Sequence, residues 1–125
     1  MTKILLVEDH PELRYILQRQ LEWMGFSTIP AANGKEGVEK AVLEKPDLIL
    51  MNSIMPEMDG WEATRVLRAN PETKDIPILA ATAMLQPSHV EAWIDIGCND
   101  YILKPFTLDE LQRKITAIIQ CSKQE

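Results

Sequence analysis

Five polar side chains stand where apolar runs of this sequence stop. Glu8 and Asp9 follow Ile4-Leu5-Leu6-Val7, and Asn52 follows Leu48-Ile49-Leu50-Met51. Thr82 closes Pro77-Ile78-Leu79-Ala80-Ala81, and Lys104 closes Asp100-Tyr101-Ile102-Leu103. If these runs are parallel strands of one sheet, their carboxyl ends share an edge, the edge at which open α/β sheets bind ligands. Two carboxylates, an amide, a hydroxyl and an ammonium would then surround one crevice. Neighbouring carboxylates repel unless positive charge lies between them. A hard divalent cation such as Mg²⁺ suits such oxygen donors. Thr82 and Lys104 suit the oxygens of a phosphoryl group on a nearby acceptor. Taken singly, Thr82 is a strand-end hydroxyl and Lys104 a surface cation; only their joint placement points to chemistry.

The intervening stretches supply the elements needed to position these groups. Unbroken apolar runs such as Leu48 to Met51 read as strands covered on both faces. Between them lie stretches of helical period. Pro11 suits a first helical turn, Leu13, Ile16, Leu17, Leu21 and Met24 form one face, and Gly25 stands at the C′ position. A short second strand covers Ser27 to Ala31, Asn33-Gly34 reads as a turn, and Val38, Ala41 and Val42 mark a second helix ended by Lys45-Pro46. Pro56 and Asp59-Gly60 turn the chain into a third helix, with Ala63, Val66 and Leu67 inward, broken at Asn70-Pro71. A helix from about Pro87 to Ile96 stops at Gly97. Leu108, Leu111, Ile115, Ile118 and Ile119 stripe the last helix, and Cys121 to Glu125 reads as a frayed polar tail. Five βα units with short connections predict an α/β fold: a flavodoxin-like three-layer sandwich whose five-stranded parallel sheet has the order 2-1-3-4-5. Residues 1–125 read as one domain, with a core over about 3–120.

Composition narrows the function classes. The 125 residues are 46% hydrophobic and 26% charged, an ordinary globular balance with room for one core. The net charge of −6, without a basic block, argues against a phosphate-tracking nucleic-acid surface. No apolar run reaches membrane-spanning length, and no signal peptide is evident. Cys98 and Cys121 lack metal-ligand spacing and read as reduced thiols of a cytoplasmic protein. His10 and His89 have no ligand partners in the sequence and read as surface residues.

Val7-Glu8-Asp9, the stretch from Met51 to Gly60, Ala81-Thr82-Ala83 and Asp100 to Phe106 together resemble the receiver domain of two-component response regulators, over essentially the whole chain. That resemblance implies a phosphorelay signalling module. It implies that Glu8 and Asp9 hold Mg²⁺ with residue 52 and the backbone carbonyl of Ile54. It gives Thr82 the role of switch hydroxyl, Tyr101 that of rotating aromatic and Lys104 that of phosphate-binding lysine. It makes the Lys104–Pro105 bond cis. It implies a sensor histidine kinase or phosphotransfer protein as partner. It also implies an output or dimer contact through the helix over 87–96, the fifth strand and the last helix, where Trp93, Ile94 and Tyr101 lie. Trp93 with Met84 and Leu85 makes the region after the fourth strand unusually apolar, which extra core packing or an isolated exposed aromatic would also explain.

Position 52 departs from the family, whose phospho-acceptor is an aspartate. A carboxamide oxygen is a far poorer nucleophile than a carboxylate, so ordinary aspartyl phosphorylation is not expected at Asn52. The pocket also has one formal negative charge fewer, which predicts weakened Mg²⁺ affinity. An engineered Asp→Asn exchange and a natural pseudo-receiver are both compatible with the sequence. Slow deamidation of Asn52-Ser53 would restore a carboxylate. Ser53 itself reads as a packing or backbone-bonding residue that strand geometry aims to the opposite side, and is the first alternative acceptor to map only if the protein still takes up phosphate. The rival from another class is a small Mg²⁺-dependent phosphatase or phosphotransferase-like enzyme; Asn52 removes its nucleophile, and the chain is too short for a substrate cap. An FMN binder would want a Ser/Thr-rich loop after the first strand, which is missing.

Overall fold

The computed structural model describes residues 2–52, 58–82, 91–92 and 94–123. Five strands, β1 (Lys3–Val7), β2 (Ser27–Ala31), β3 (Leu48–Asn52), β4 (Ile78–Thr82) and β5 (Asp100–Leu103), form one parallel sheet in the order β2-β1-β3-β4-β5. The helices α1 (Pro11–Trp23), α2 (Gly34–Glu44), α3 (Gly60–Ala69) and α4 (Leu108–Lys123) cover it. Residues 91–92 and 94–95 are also helical, within the helix expected from about Pro87; residues 87–90 and 93 of that stretch lie outside the described residues.

Successive strand residues point to opposite faces, and the core divides accordingly. Leu5, Val7, Ile49, Met51, Ile78 and Ala80 pack with Ala41 of α2 and with Ala63 and Leu67 of α3. Ile4, Leu6, Leu48, Leu50, Leu79, Ala81 and Ile102 pack with Leu17 and Leu21 of α1 and with Leu111, Ile115 and Ile118 of α4. Every residue of β3 and β4 is buried, which explains why these strands read as unbroken apolar runs. Each fully buried Leu or Ile contributes about 1.5–3 kcal/mol.

The helix boundaries have identifiable chemistry. His10 caps α1, its Nδ1 accepting from the Leu13 amide at 3.3 Å, and Pro11 opens the helix. Gly25 follows at φ 99°, the left-handed value expected at C′. Asn33 Oδ1 accepts from the Glu36 amide at 2.8 Å, so Asn33-Gly34 is a helix cap and not merely a turn. Asp59 caps α3 through the Glu62 amide, and Thr107 caps α4 through the Glu110 amide.

Several expectations are corrected. Leu13, Ile16, Val66 and Leu108 are exposed although they lie on apolar stripes. Helical period identifies a face, but only part of that face meets the sheet. The last helix continues through Lys123, because nothing in Cys121-Ser122-Lys123 breaks it, so the frayed tail expected from Cys121 is not seen there. β5 ends at Leu103, one residue before Lys104. Trp23, at the end of α1, is 88% exposed.

Candidate functional site

Parallel pairing brings the polar strand ends to one edge. β1 and β3 are neighbours with Val7 opposite Met51, so the Glu8-Asp9 pair emerges beside Asn52. β4 separates β3 from β5, with Asn52 opposite Ala81 and Thr82 opposite Leu103. Strand spacing puts β5 about 10 Å from β3, a gap that a lysine stem can help bridge. The Lys104 amide donates to the Thr82 carbonyl at 2.8 Å and extends the β4–β5 ladder by one bond.

Four of the sequence-identified side chains form one hydrogen-bonded network. Lys104 Nζ donates to Asn52 Oδ1 at 2.6 Å. Asn52 Nδ2 donates to Glu8 Oε2 at 3.2 Å and to Asp9 Oδ1 at 3.0 Å. Glu8 Oε2 also accepts from the His10 amide at 3.1 Å. Glu8 and Asn52 are only 3% and 8% exposed, so these are interior contacts, in which a lost partner is costly. Burial is the main cause that pushes the Glu8 carboxyl above its ordinary range. The backbone bond from His10 and the charge of Lys104 pull it down, while the bond with Asp9 and the Asp9 charge push it up.

The arrangement decides how the pocket would receive Mg²⁺. A hard cation needs oxygen ligands aimed at a common point. Here the nitrogen of residue 52 faces the carboxylates, and its oxygen faces the ammonium. As arranged, the described residues do not fit the ion. Among them no group of three or more His, Cys, Asp and Glu side chains gathers to hold a metal. Ile54, expected to supply a carbonyl ligand, and Ser53 lie outside the described residues.

The remaining sequence-identified residues sit nearby. Thr82 is fully buried at the end of β4, on the strand between Asn52 and Lys104. Tyr101 is half-buried on β5, opposite Ala80 in register. Lys114 Nζ lies 5.0 Å from the centre of the Tyr101 ring and 3.2 Å from both Asp100 carboxylate oxygens. The Lys104–Pro105 peptide is cis. Ile94 is 44% exposed, while Trp93, Met84 and Leu85 lie outside the described residues.

Three supporting residues carry no sequence signal strong enough to mark them. Arg14 Nη1 donates to the Glu8 carbonyl at 2.9 Å and to the Asp9 carbonyl at 3.5 Å, fixing the loop that presents both carboxylates. The His10 amide braces Glu8. Gly60 packs so tightly that an added Cβ would lie 2.1 Å from the Asn52 carbonyl oxygen. The Asp59-Gly60 pair suggested a turn, but not this close approach. The polar network also borders a cavity of about 390 Å³ between α1 and the start of α4. The exposed Leu13, Ile16 and Leu108 line it, which is where their stripes miss the sheet.

Comparison with known proteins supplies three findings. Residues 4–116 match the family described as the response regulator receiver domain. The response regulator MprA of Mycobacterium leprae is 37% identical over 121 residues, covering 97% of this chain and 52% of that protein. The chain thus spans about half the length of the curated relatives it matches. Among solved structures, the signal receiver domain of a signal transduction histidine kinase from Syntrophus aciditrophicus has a TM-score of 0.91 at 33% identity. It covers 100% of this chain and 95% of its own. The receiver domain of sensor histidine kinase PA1611 from Pseudomonas aeruginosa has a TM-score of 0.87 at 36% identity, covering 95% of this chain and 98% of its own; it is described with a magnesium ion coordinated in the active site cleft.

Proposed function

Since this chain belongs to the response regulator receiver domain family, we propose that it is a two-component signalling module held in its unphosphorylated state by Asn52. The observation that carries this reading is the 2.6 Å bond from Lys104 to Asn52 Oδ1. A carboxylate at this position would attack phosphorus and become an acyl phosphate. The carboxamide oxygen carries no full negative charge, is bonded by an ammonium and would be left as part of a cationic imidate on attack, so it does not take that step. Engineered exchange and natural pseudo-receiver both lead to this chemistry.

The reading assigns Thr82 and Tyr101 the switch positions and Lys104 the phosphoryl-facing cation, a role it fills here towards an amide. A charged ligand biases a two-state equilibrium only through different contacts in the two states. Without an acyl phosphate, the resting state prevails. Mg²⁺ affinity is weakened, because the oxygen of residue 52 is turned away from Glu8 and Asp9. The partner is a sensor histidine kinase or phosphotransfer protein, and the cytoplasm is the compartment. Output or self-association uses the surface of the helix over 87–96, β5 and α4, with Ile94 and Tyr101 in it and Trp93 assigned to it from the sequence.

The test is exposure to acetyl phosphate, with beryllofluoride in parallel. Intact mass of this protein is expected to show no phosphoryl gain, and Trp61 emission to stay unchanged. Asn52→Asp is expected to gain both responses. A gain in the Asn protein that maps to the pocket overturns the reading.

A further inference from the structure

We infer that the Asn52 carboxamide stands in for a cation in this pocket, making its resting geometry independent of divalent metal. The inference deepens the proposed function and rests on it only for the identity of the ion that is replaced.

Donor and acceptor chemistry fixes the amide's orientation. A lysine ammonium only donates and an ionised carboxylate only accepts. Lys104 must therefore face Oδ1, while Glu8 and Asp9 must face Nδ2, as observed. Turning the amide over would set its N–H groups against the ammonium and its oxygen against two carboxylates. Three attractive contacts would become three repulsive ones.

The Nδ2 group has two hydrogens, one for each carboxylate. Their partial positive charge lies where like charges would otherwise meet. Lys104 strengthens the effect, since a donor on the amide oxygen polarises the N–H bonds. Asn52 thereby ties the loop after β1, the end of β3 and the loop after β5 into one unit. The cradle is fixed from behind: Arg14 holds the Glu8 and Asp9 carbonyls, and Gly60 lies against the Asn52 carbonyl. A cation entering between the carboxylates must displace both N–H donors and then meets no oxygen from residue 52. The near-isosteric aspartate keeps the Lys104 contact, as an ion pair, and reverses the two that face Glu8 and Asp9. It puts a third carboxylate in the same space, removes both donors and creates the need for a metal.

The experiment is thermal unfolding of the full chain and of Asn52→Asp, each in EDTA and in MgCl₂ alone, without phosphoryl donor or partner. The Asn protein is expected to melt at the same temperature in both media. Asn52→Asp is expected to melt lower by about 5 °C in EDTA and to recover with Mg²⁺. If Asn52→Asp does not fold in EDTA but folds with Mg²⁺, the inference is equally supported. It is overturned if Mg²⁺ raises the Asn protein's midpoint as much as the variant's, or if the variant in EDTA is as stable as the Asn protein. A second measurement uses ¹⁵N-asparagine labelling. The side-chain amide pair that disappears in Asn52→Asp is expected to exchange slowly and to stay fixed on adding Mg²⁺. Movement or broadening of that pair overturns the inference. Since no phosphate is present, failure here leaves the phosphorylation test intact, and failure of that test leaves this one intact.

Discussion

Asn52 and Gly60 show how closely one side chain and one missing side chain cooperate. The carboxamide is bonded from both sides, and its backbone carbonyl leaves no room for a Cβ on residue 60. Gly60→Ala forces the strand end or the start of α3 to move, and Gly60 also accepts from Thr64 Oγ1 at 2.7 Å. A loss of about 1–3 kcal/mol is expected from overpacking, read by denaturant melts, together with a shifted Asn52 side-chain amide resonance. Unchanged stability and resonance would show that the contact is slack. At this scale the sequence was informative about identity and weak on partners. Glu8, Asp9, Asn52 and Lys104 were identifiable because polar residues closed apolar runs. The steric role of Gly60, the carbonyl clamp of Arg14 and the cap made by His10 depend on three-dimensional proximity that no local pattern encodes.

Among elements, the turn from α3 into β4 shows how a single cation joins segments. Arg68 Nε donates to the Gly97 carbonyl, Nη1 to the Lys74 and Ile76 carbonyls at 2.8 Å, and Nη2 to Asn99 Oδ1 at 2.9 Å. Asn99 Oδ1 in turn accepts from the Ile78 amide at 2.9 Å, so the entries to β4 and β5 are held together. Arg68→Ala strands several carbonyls and is expected to cost about 2–4 kcal/mol by chemical denaturation. Arg68→Lys recovers only part of this, because an ammonium lacks the planar fork. Equal stability of the Lys variant would refute the role of the fork. The strands themselves were legible because fully covered parallel strands have no polar face to interrupt them. The helix faces were less so. Leu13 and Ile16 share the period of Leu17 and Leu21, yet they border a cavity instead of the sheet.

For the molecule as a whole, the order 2-1-3-4-5 is one of those that strand–helix alternation and right-handed crossovers allow. Its stability should carry a mark of one buried thiol. Burial pushes Cys98 up to about 11 from 9.0, partly offset by the Thr64 hydroxyl and the Arg68 charge. The unfolded chain loses this proton first. The thiol's contribution is therefore full below pH 9 and declines as pH rises towards 11, by about 2–3 kcal/mol in total. Denaturant melts across this range should show the decline, and Cys98→Ala should flatten it; an unchanged slope would count against the burial effect. In the native state a thiol reagent should label the exposed Cys121 quickly and the buried Cys98 only after unfolding.

The indole of Trp23 has a practical consequence. Bathed in water at the end of α1, it emits against solvent whatever happens at the far edge of the sheet. With three tryptophans in the chain, its light forms a constant background that dilutes any optical signal from Trp61, which sits one residue beyond the glycine abutting Asn52. Replacing Trp23 with phenylalanine would remove that glare at little structural expense and leave a quieter lamp beside the pocket.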